Sequence, residues 1–191
     1  MVRTVPLILE LEEIHVVAVS AFMIVFRILH IMAGVLWVGS AFLFVGFIGP
    51  SAAEVGPSAG PLLSVAVNKR RVVKVITGLG MATVTAGWIL WIRDLTLWGS
   101  FGDWVGSRFG LVLTIGAVLA TIALFEGAFG VGRNVERLVG LGDAVAASGG
   151  PPSPEQAAEM GRLQSELKSH GRIDLVLLLL AVLAMSTARY W

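Results

Sequence analysis

Apolar residues run almost unbroken through four stretches of the chain, at about 21–48, 72–92, 109–131 and 173–190, and the polar residues collect between them. A helix needs about 20 apolar residues to cross a hydrocarbon layer about 30 Å thick. Each stretch is long enough, or nearly so, and none contains proline. Backbone N–H and C=O groups in lipid must pair within their own segment, so the four stretches are predicted to be helices. The expected fold is all-α, a four-helix transmembrane bundle forming a single membrane domain over residues 1–191. The first stretch is overlong. From His15 to Ile48 it would extend roughly 51 Å as helix, so only the part after about Leu29 needs to lie in hydrocarbon. The Gly49-Pro50 pair reads as its stop.

The polar intervals differ in kind. Residues 50–68 are rich in Gly, Pro and Ser and read as irregular chain. Residues 95–107 carry two tryptophans and read as interfacial. Residues 138–152 read as loop. At Ser153 the pattern changes: Ser153 as N-cap, Pro154 at the first helical position and Gln156 at the third form a capping-box signature. Met160, Leu163 and Leu167 then recur at helical spacing, which predicts an amphipathic helix over 154–170. Only Gly171 separates it from the last span.

Composition agrees with a membrane protein: 56% of residues are hydrophobic and 14% charged, against about 25% charged in soluble domains. Mean hydropathy is +0.85. There is no cysteine, which excludes disulfides, thiolate metal sites and covalent c-type haem. A net charge of +1 gives no reason to invoke nucleic acid. Nine of the 14 Lys and Arg residues fall on the side of intervals 49–71 and 132–172. The positive-inside rule makes that side cytoplasmic and places both termini outside. Trp88, Trp91, Trp98, Trp104, Tyr190 and Trp191 cluster toward the outer boundary, as in an aromatic belt.

Ionisable residues inside a membrane are expensive and are functional candidates by default. On the first span Arg27, His30, Gly34, Trp37 and Ala41 share one face. Gly34, one turn from His30, leaves a notch beside the imidazole that would suit a flat cofactor or a close helix neighbour. Met185 on the last span matches His30 in depth. Together they could ligate haem iron or a Cu(I) ion. The plainer expectation is a His30 bonded to a backbone carbonyl, an Arg27 reaching to lipid phosphate and a Met185 that merely packs. Toward the other end lie Glu126, Lys74, Asp174 and His170. Glu126 and Lys74 suggest a salt bridge; the sharper expectation is a proton or cation site including Asp174. Glu166, His170 and Asp174 form a stripe that reads as a solvated face. His30 and His170 fall near opposite faces, too far apart for one haem. No hydrolytic or nucleophilic constellation appears, so the chain does not read as an enzyme.

The segment "RILHIMAGVLWVGSAFLF" has the form R-x-L-H-x-x-A-G-x-x-W-x-G. It resembles the first helix of copper-resistance CopD-like domains and of the N-terminal membrane domain of PuuD-type urate oxidases, and "VITGLGMATVTAGWILW" resembles their second helix. The resemblance covers about 70 residues. It implies copper handling or b-type haem and electron transfer, carried here by Arg27, His30, Gly34, Trp37 and Gly39. The chain has neither a cytochrome c domain nor a methionine-rich tract, and three histidines are too few for two bis-histidine haems. The leading expectation is a small electron-transfer protein binding haem b near the outer leaflet through His30. It could serve as an accessory subunit of a larger membrane complex, or as a homo-oligomer. A copper transport or tolerance protein and a cofactor-free structural subunit of the lipid bilayer are the alternatives.

Overall fold

The computed structural model describes the backbone of residues 4–191 and the side chains of residues 21–191. His15 and the acidic residues Glu10, Glu12 and Glu13 lie outside the described side chains. The chain folds into α1 (Thr4–Leu43), α2 (Gly49–Val55), α3 (Gly60–Ser64), α4 (Val72–Trp98), α5 (Phe101–Gly106), α6 (Arg108–Phe125), α7 (Arg133–Ser148) and α8 (Pro154–Thr187). Among the described residues there is no strand. Four helices, led by α1, α4, α6 and α8, are long and apolar enough to cross a bilayer, and large apolar side chains such as Ile24, Val35, Val75, Ile122 and Leu183 lie exposed along them. The chain is an integral membrane protein.

Neighbouring spans run antiparallel, and α1 packs mainly on α4 while α6 packs mainly on α8. The four meet around Trp37, Ala41, Ala123 and Leu178. Glycines set the spacing. The Trp37 ring lies where a Cβ on Gly80 would stand 2.8 Å away, Met185 fills the same position beside Gly116, and Val45 approaches Gly171 at 3.2 Å. Small residues let membrane helices approach closely enough for dispersion contacts to hold them, since lipid offers no hydrophobic drive between helices. Threonines add polar contacts: Trp88 Nε1 donates to Thr121 Oγ1 at 3.0 Å and Trp91 Nε1 to Thr114 Oγ1 at 2.9 Å. These bonds turn two of the expected belt tryptophans into the bundle. Trp104 goes further and is fully buried, edge-on to Trp91, Trp98 and Phe109. Trp98, Tyr190 and Trp191 remain exposed, as a belt requires.

Three boundaries differ from the sequence reading. Gly49-Pro50 does not stop the first helix. A wide, π-type turn at Phe44–Ile48 precedes it, and Pro50 enters the first turn of α2. A proline there lacks only an N–H that the widened turn does not need. Residues 50–68 are therefore mostly helical, broken at Gly56, whose φ of 60° is open to glycine. Of residues 138–152 only 149–152 are loop; 138–148 are helical. α6 continues through another wide turn, Glu126–Gly132, into α7, giving an unbroken helical run Arg108–Ser148 of 41 residues. Val139 is buried and Val135, Leu138 and Val145 are half-buried in an apolar stripe along α7, which packs on α8 and α3. The amphipathic helix at 154–170 and the last span are one helix, α8, begun by the expected capping box at Ser153. Beyond the bundle, the 16 residues of α7 pair with the first half of α8 as a hairpin projecting about 24 Å.

Candidate functional site

Two histidines mark the two ends of the bundle, and each is seated on a glycine of the next helix. His30 leaves α1 toward α4. Its Nδ1 lies 2.8 Å from the Thr83 carbonyl oxygen, and its ring stands 2.8 Å from where a Cβ on Gly87 would be. A carbonyl only accepts, so Nδ1 carries the proton and Nε2 is the free ring nitrogen. The notch expected at Gly34 is occupied: the Thr83 methyl lies 3.3 Å from where its Cβ would stand. Thr83 and Gly87 thus fill, from α4, the space that Gly34 opens on α1. Met185 is seated against Gly116 of α6 rather than in that interface, and among the described residues no hydrogen bond joins it to His30. Trp37 is buried in the core, and Gly39 faces open space. Arg27 is exposed, close enough to Asp94 for its charge to act there.

The other end gathers acids around an imidazole. Glu126 opens the wide turn after α6, and its Oε1 lies 2.5 Å from His170 Nδ1 on α8. His170 is seated on Gly130, where a Cβ would come within 2.8 Å of Nδ1 and 3.2 Å of the Glu126 carboxyl carbon. One turn along α8 stands Asp174, only 5% exposed. Its Oδ1 would be 3.4 Å from a Cβ on Gly127 and has no hydrogen-bond partner among the described residues. The wide turn is what makes the cluster. It shifts Gly127 and Gly130 onto the α8 side, so that two α8 side chains can press against bare backbone while Glu126 reaches across. Such π-type turns inside α-helices occur frequently at functional sites.

The salt bridge expected between Glu126 and Lys74 is not formed. Glu126 is bonded to His170, and Lys74 has no ion-pair partner among the described residues. The stripe Glu166, His170, Asp174 is not a solvated face. Glu166 accepts from the buried Asn134 of α7 at 3.1 Å, His170 meets Glu126 and Asp174 is buried. Depth counting placed Glu126, His170 and Asp174 at one end. What it missed was helix rotation, and the only sequence signal was the glycine run Gly127, Gly130 and Gly132.

Measured from the core, Glu126 lies three residues from Ala123 and Asp174 four from Leu178, or about 5–6 Å along each helix. The carboxylates therefore sit about one helical turn from the core residues, and the His170 side chain is partly open. Chemically the arrangement can hold a proton between Glu126 and His170 and offer a second carboxyl for another proton or a cation. Among the described residues no group of three or more His, Cys, Asp or Glu side chains is placed to hold a metal ion. No known protein family, no curated protein and no solved structure matches this chain.

Proposed function

We propose that this chain is a proton-handling membrane protein, with Glu126, His170 and Asp174 as its working centre. The observation that carries the reading is Asp174: a carboxyl within the bundle, buried, with one oxygen unpartnered, beside a bonded acid–imidazole pair. A lone carboxylate in a low-dielectric interior is costly, so such a group takes a proton or a cation. The proton step balances within the cluster. When the Glu126 carboxyl gives its proton to His170 Nδ1, an O–H bond breaks and an N–H bond forms, leaving carboxylate and imidazolium. His170, at the edge, then exchanges with water. By the positive-inside count this end faces the cytoplasm, with both termini outside.

The test is proton uptake. In proteoliposomes carrying a pH-sensitive dye, the wild-type chain is expected to move protons down a gradient, and Asp174→Asn to abolish the movement. Infrared spectra are expected to show a protonated-carboxyl band that titrates with pH and disappears in Asp174→Asn. No flux above empty vesicles together with no titrating carboxyl band sinks the proposal.

A second reading keeps the resemblance of the first helix, with electron transfer through haem b or copper handling at His30. Its support is that Nδ1 bonds a carbonyl and leaves Nε2 free, the arrangement of metal-bound imidazoles. A Soret band, or stoichiometric copper, lost in His30→Ala supports it. A colourless, metal-free protein leaves the proton reading or a cofactor-free structural subunit.

A further inference from the structure

On the side of the α6–α7 run away from the acid cluster, an open groove of about 280 Å³ separates it from α4. Its composition changes along its length. Met81, Gly78 and Ala128 line one end and Lys74, Arg133 and Glu136 the other. Met81 adjoins Gly80, the glycine under Trp37, so the apolar end lies at core level. Lys74 is seven residues before Met81 on α4, about 10 Å toward the boundary. Arg133 follows Gly132, against which Val73 packs. The groove thus runs from hydrocarbon depth to the bilayer edge and changes from apolar to cationic on the way.

The cationic end is underused. Neither Lys74 nor Arg133 has an ion-pair partner among the described residues. Arg133 is held with its guanidinium 4.5 Å above the Phe129 ring, a cation–π contact that fixes its position and leaves its N–H donors directed elsewhere. Two cations face one acid, Glu136, which can accept a hydrogen bond but repels a bare anion. An occupant matching all of this has an acyl chain, a phosphate and a hydroxyl beyond the phosphate.

We propose that this groove binds one anionic glycerophospholipid with a hydroxyl-bearing headgroup. The acyl chain lies along Gly78, Met81 and Ala128, the phosphate meets Lys74 and Arg133, and a headgroup hydroxyl donates to Glu136. Basic pockets between membrane helices are the general setting for such recognition. The site stands apart from the acid cluster and does not rest on its proton chemistry.

The experiment uses the full chain purified in neutral detergent, with thermal unfolding and native mass spectrometry as readouts. Phosphatidylglycerol is expected to raise the unfolding temperature and to remain bound as one adduct, with phosphatidylcholine and inorganic phosphate each without effect. Lys74→Gln with Arg133→Gln is expected to weaken phosphatidylglycerol binding about tenfold or more, a modest outcome for two charge-assisted contacts. A matched double change on the hairpin, Arg162→Gln with Lys168→Gln, is expected to leave it unchanged. Gly78→Leu keeps every charge and fills the groove; its Cβ has open space, and a variant whose unfolding temperature without lipid matches the wild type is expected to lose the adduct. Equal stabilisation by phosphatidylcholine overturns the proposal, as does stabilisation by phosphate alone. An equal loss in the hairpin variant, or an adduct that survives Gly78→Leu, overturns it too.

Discussion

His30 and His170 are built alike and do different things. Each imidazole presses on a glycine of the facing helix at 2.8 Å from the missing Cβ, and each uses Nδ1 for its bond. The partners differ. His30 meets a backbone carbonyl, which cannot carry a proton, so this contact sets its tautomer and moves no charge. His170 meets a carboxyl, and either group can hold the proton between them. A second acid, Asp174, stands a turn away at the His170 end, whereas Thr83 and Gly34 close the His30 end with a methyl contact. A buried imidazole is therefore not a functional site by itself. The group that answers it decides whether it latches two helices or moves a charge.

That contrast can be broken by filling the two glycine seats. At Gly130 a Cβ meets His170 Nδ1 and Cγ, near the stem of the side chain, and the Glu126 carboxyl. At Gly87 it meets the far edge of the His30 ring, which can swing aside. Gly130→Ala is expected to cost about 2–3 kcal/mol, the upper part of the usual range for overpacking, and Gly87→Ala clearly less, by thermal or denaturant unfolding in detergent. The reverse order would mean that the His30 seat is the tighter of the two and would break the contrast. Next in size is the coupling between Glu126 and His170. A double-mutant cycle of Glu126→Gln and His170→Ala is expected to give about 1–2 kcal/mol of interaction energy, and a value near zero would reduce the pair to neighbours. Smaller again is His30→Ala. The Thr83 carbonyl keeps its ordinary helical bond, so losing the imidazole bond costs about 1 kcal/mol plus packing, and proton flux is unchanged. Proton flux falling with His30→Ala would erase the distinction between the two ends.

The smallest effect lies outside the bilayer. At the start of α8, its own backbone N–H and the Ser153 hydroxyl hold the Glu155 carboxyl below the ordinary carboxylate range. Its contribution is present above that range and is lost as pH falls through the lowered value. The hydrogen-exchange protection factor at the first turn of α8, with intrinsic rates corrected for pH, is expected to fall slightly on acidification, and Glu155→Gln to remove that dependence.

The four spans were legible because hydropathy and bilayer thickness impose them, and the Ser153 cap because its chemistry is local. The continuity of α8 was legible for the same reason: only Gly171 intervened. What escaped was whatever one helix does to another. Pro50 and Gly49 looked like a stop because the π-type turn that absorbs them leaves no local mark. Residues 138–152 looked like loop because their glycines hid a stripe of Val and Leu that only α8 completes. The Gly34 notch was real in the sequence, but its occupant, Thr83, comes from α4. Glu126 was matched to Lys74 by depth, and the rotation that turns it to His170 arises from the wide turn at its own position. Helix existence is a property of one segment, whereas a site here is a property of pairs.

The hairpin of α7 and α8 has a practical consequence. Its tip, Gly149 to Pro152, is exposed at the far end of two paired helices, with Ser64 at the end of α3 and Asn68 just after it bracing α7, each donating to Asp143. An epitope or a fluorescent reporter spliced in there leaves the intramembrane packing untouched. Such a label turns the sidedness of the whole molecule into a question that a membrane-impermeant antibody answers in one assay.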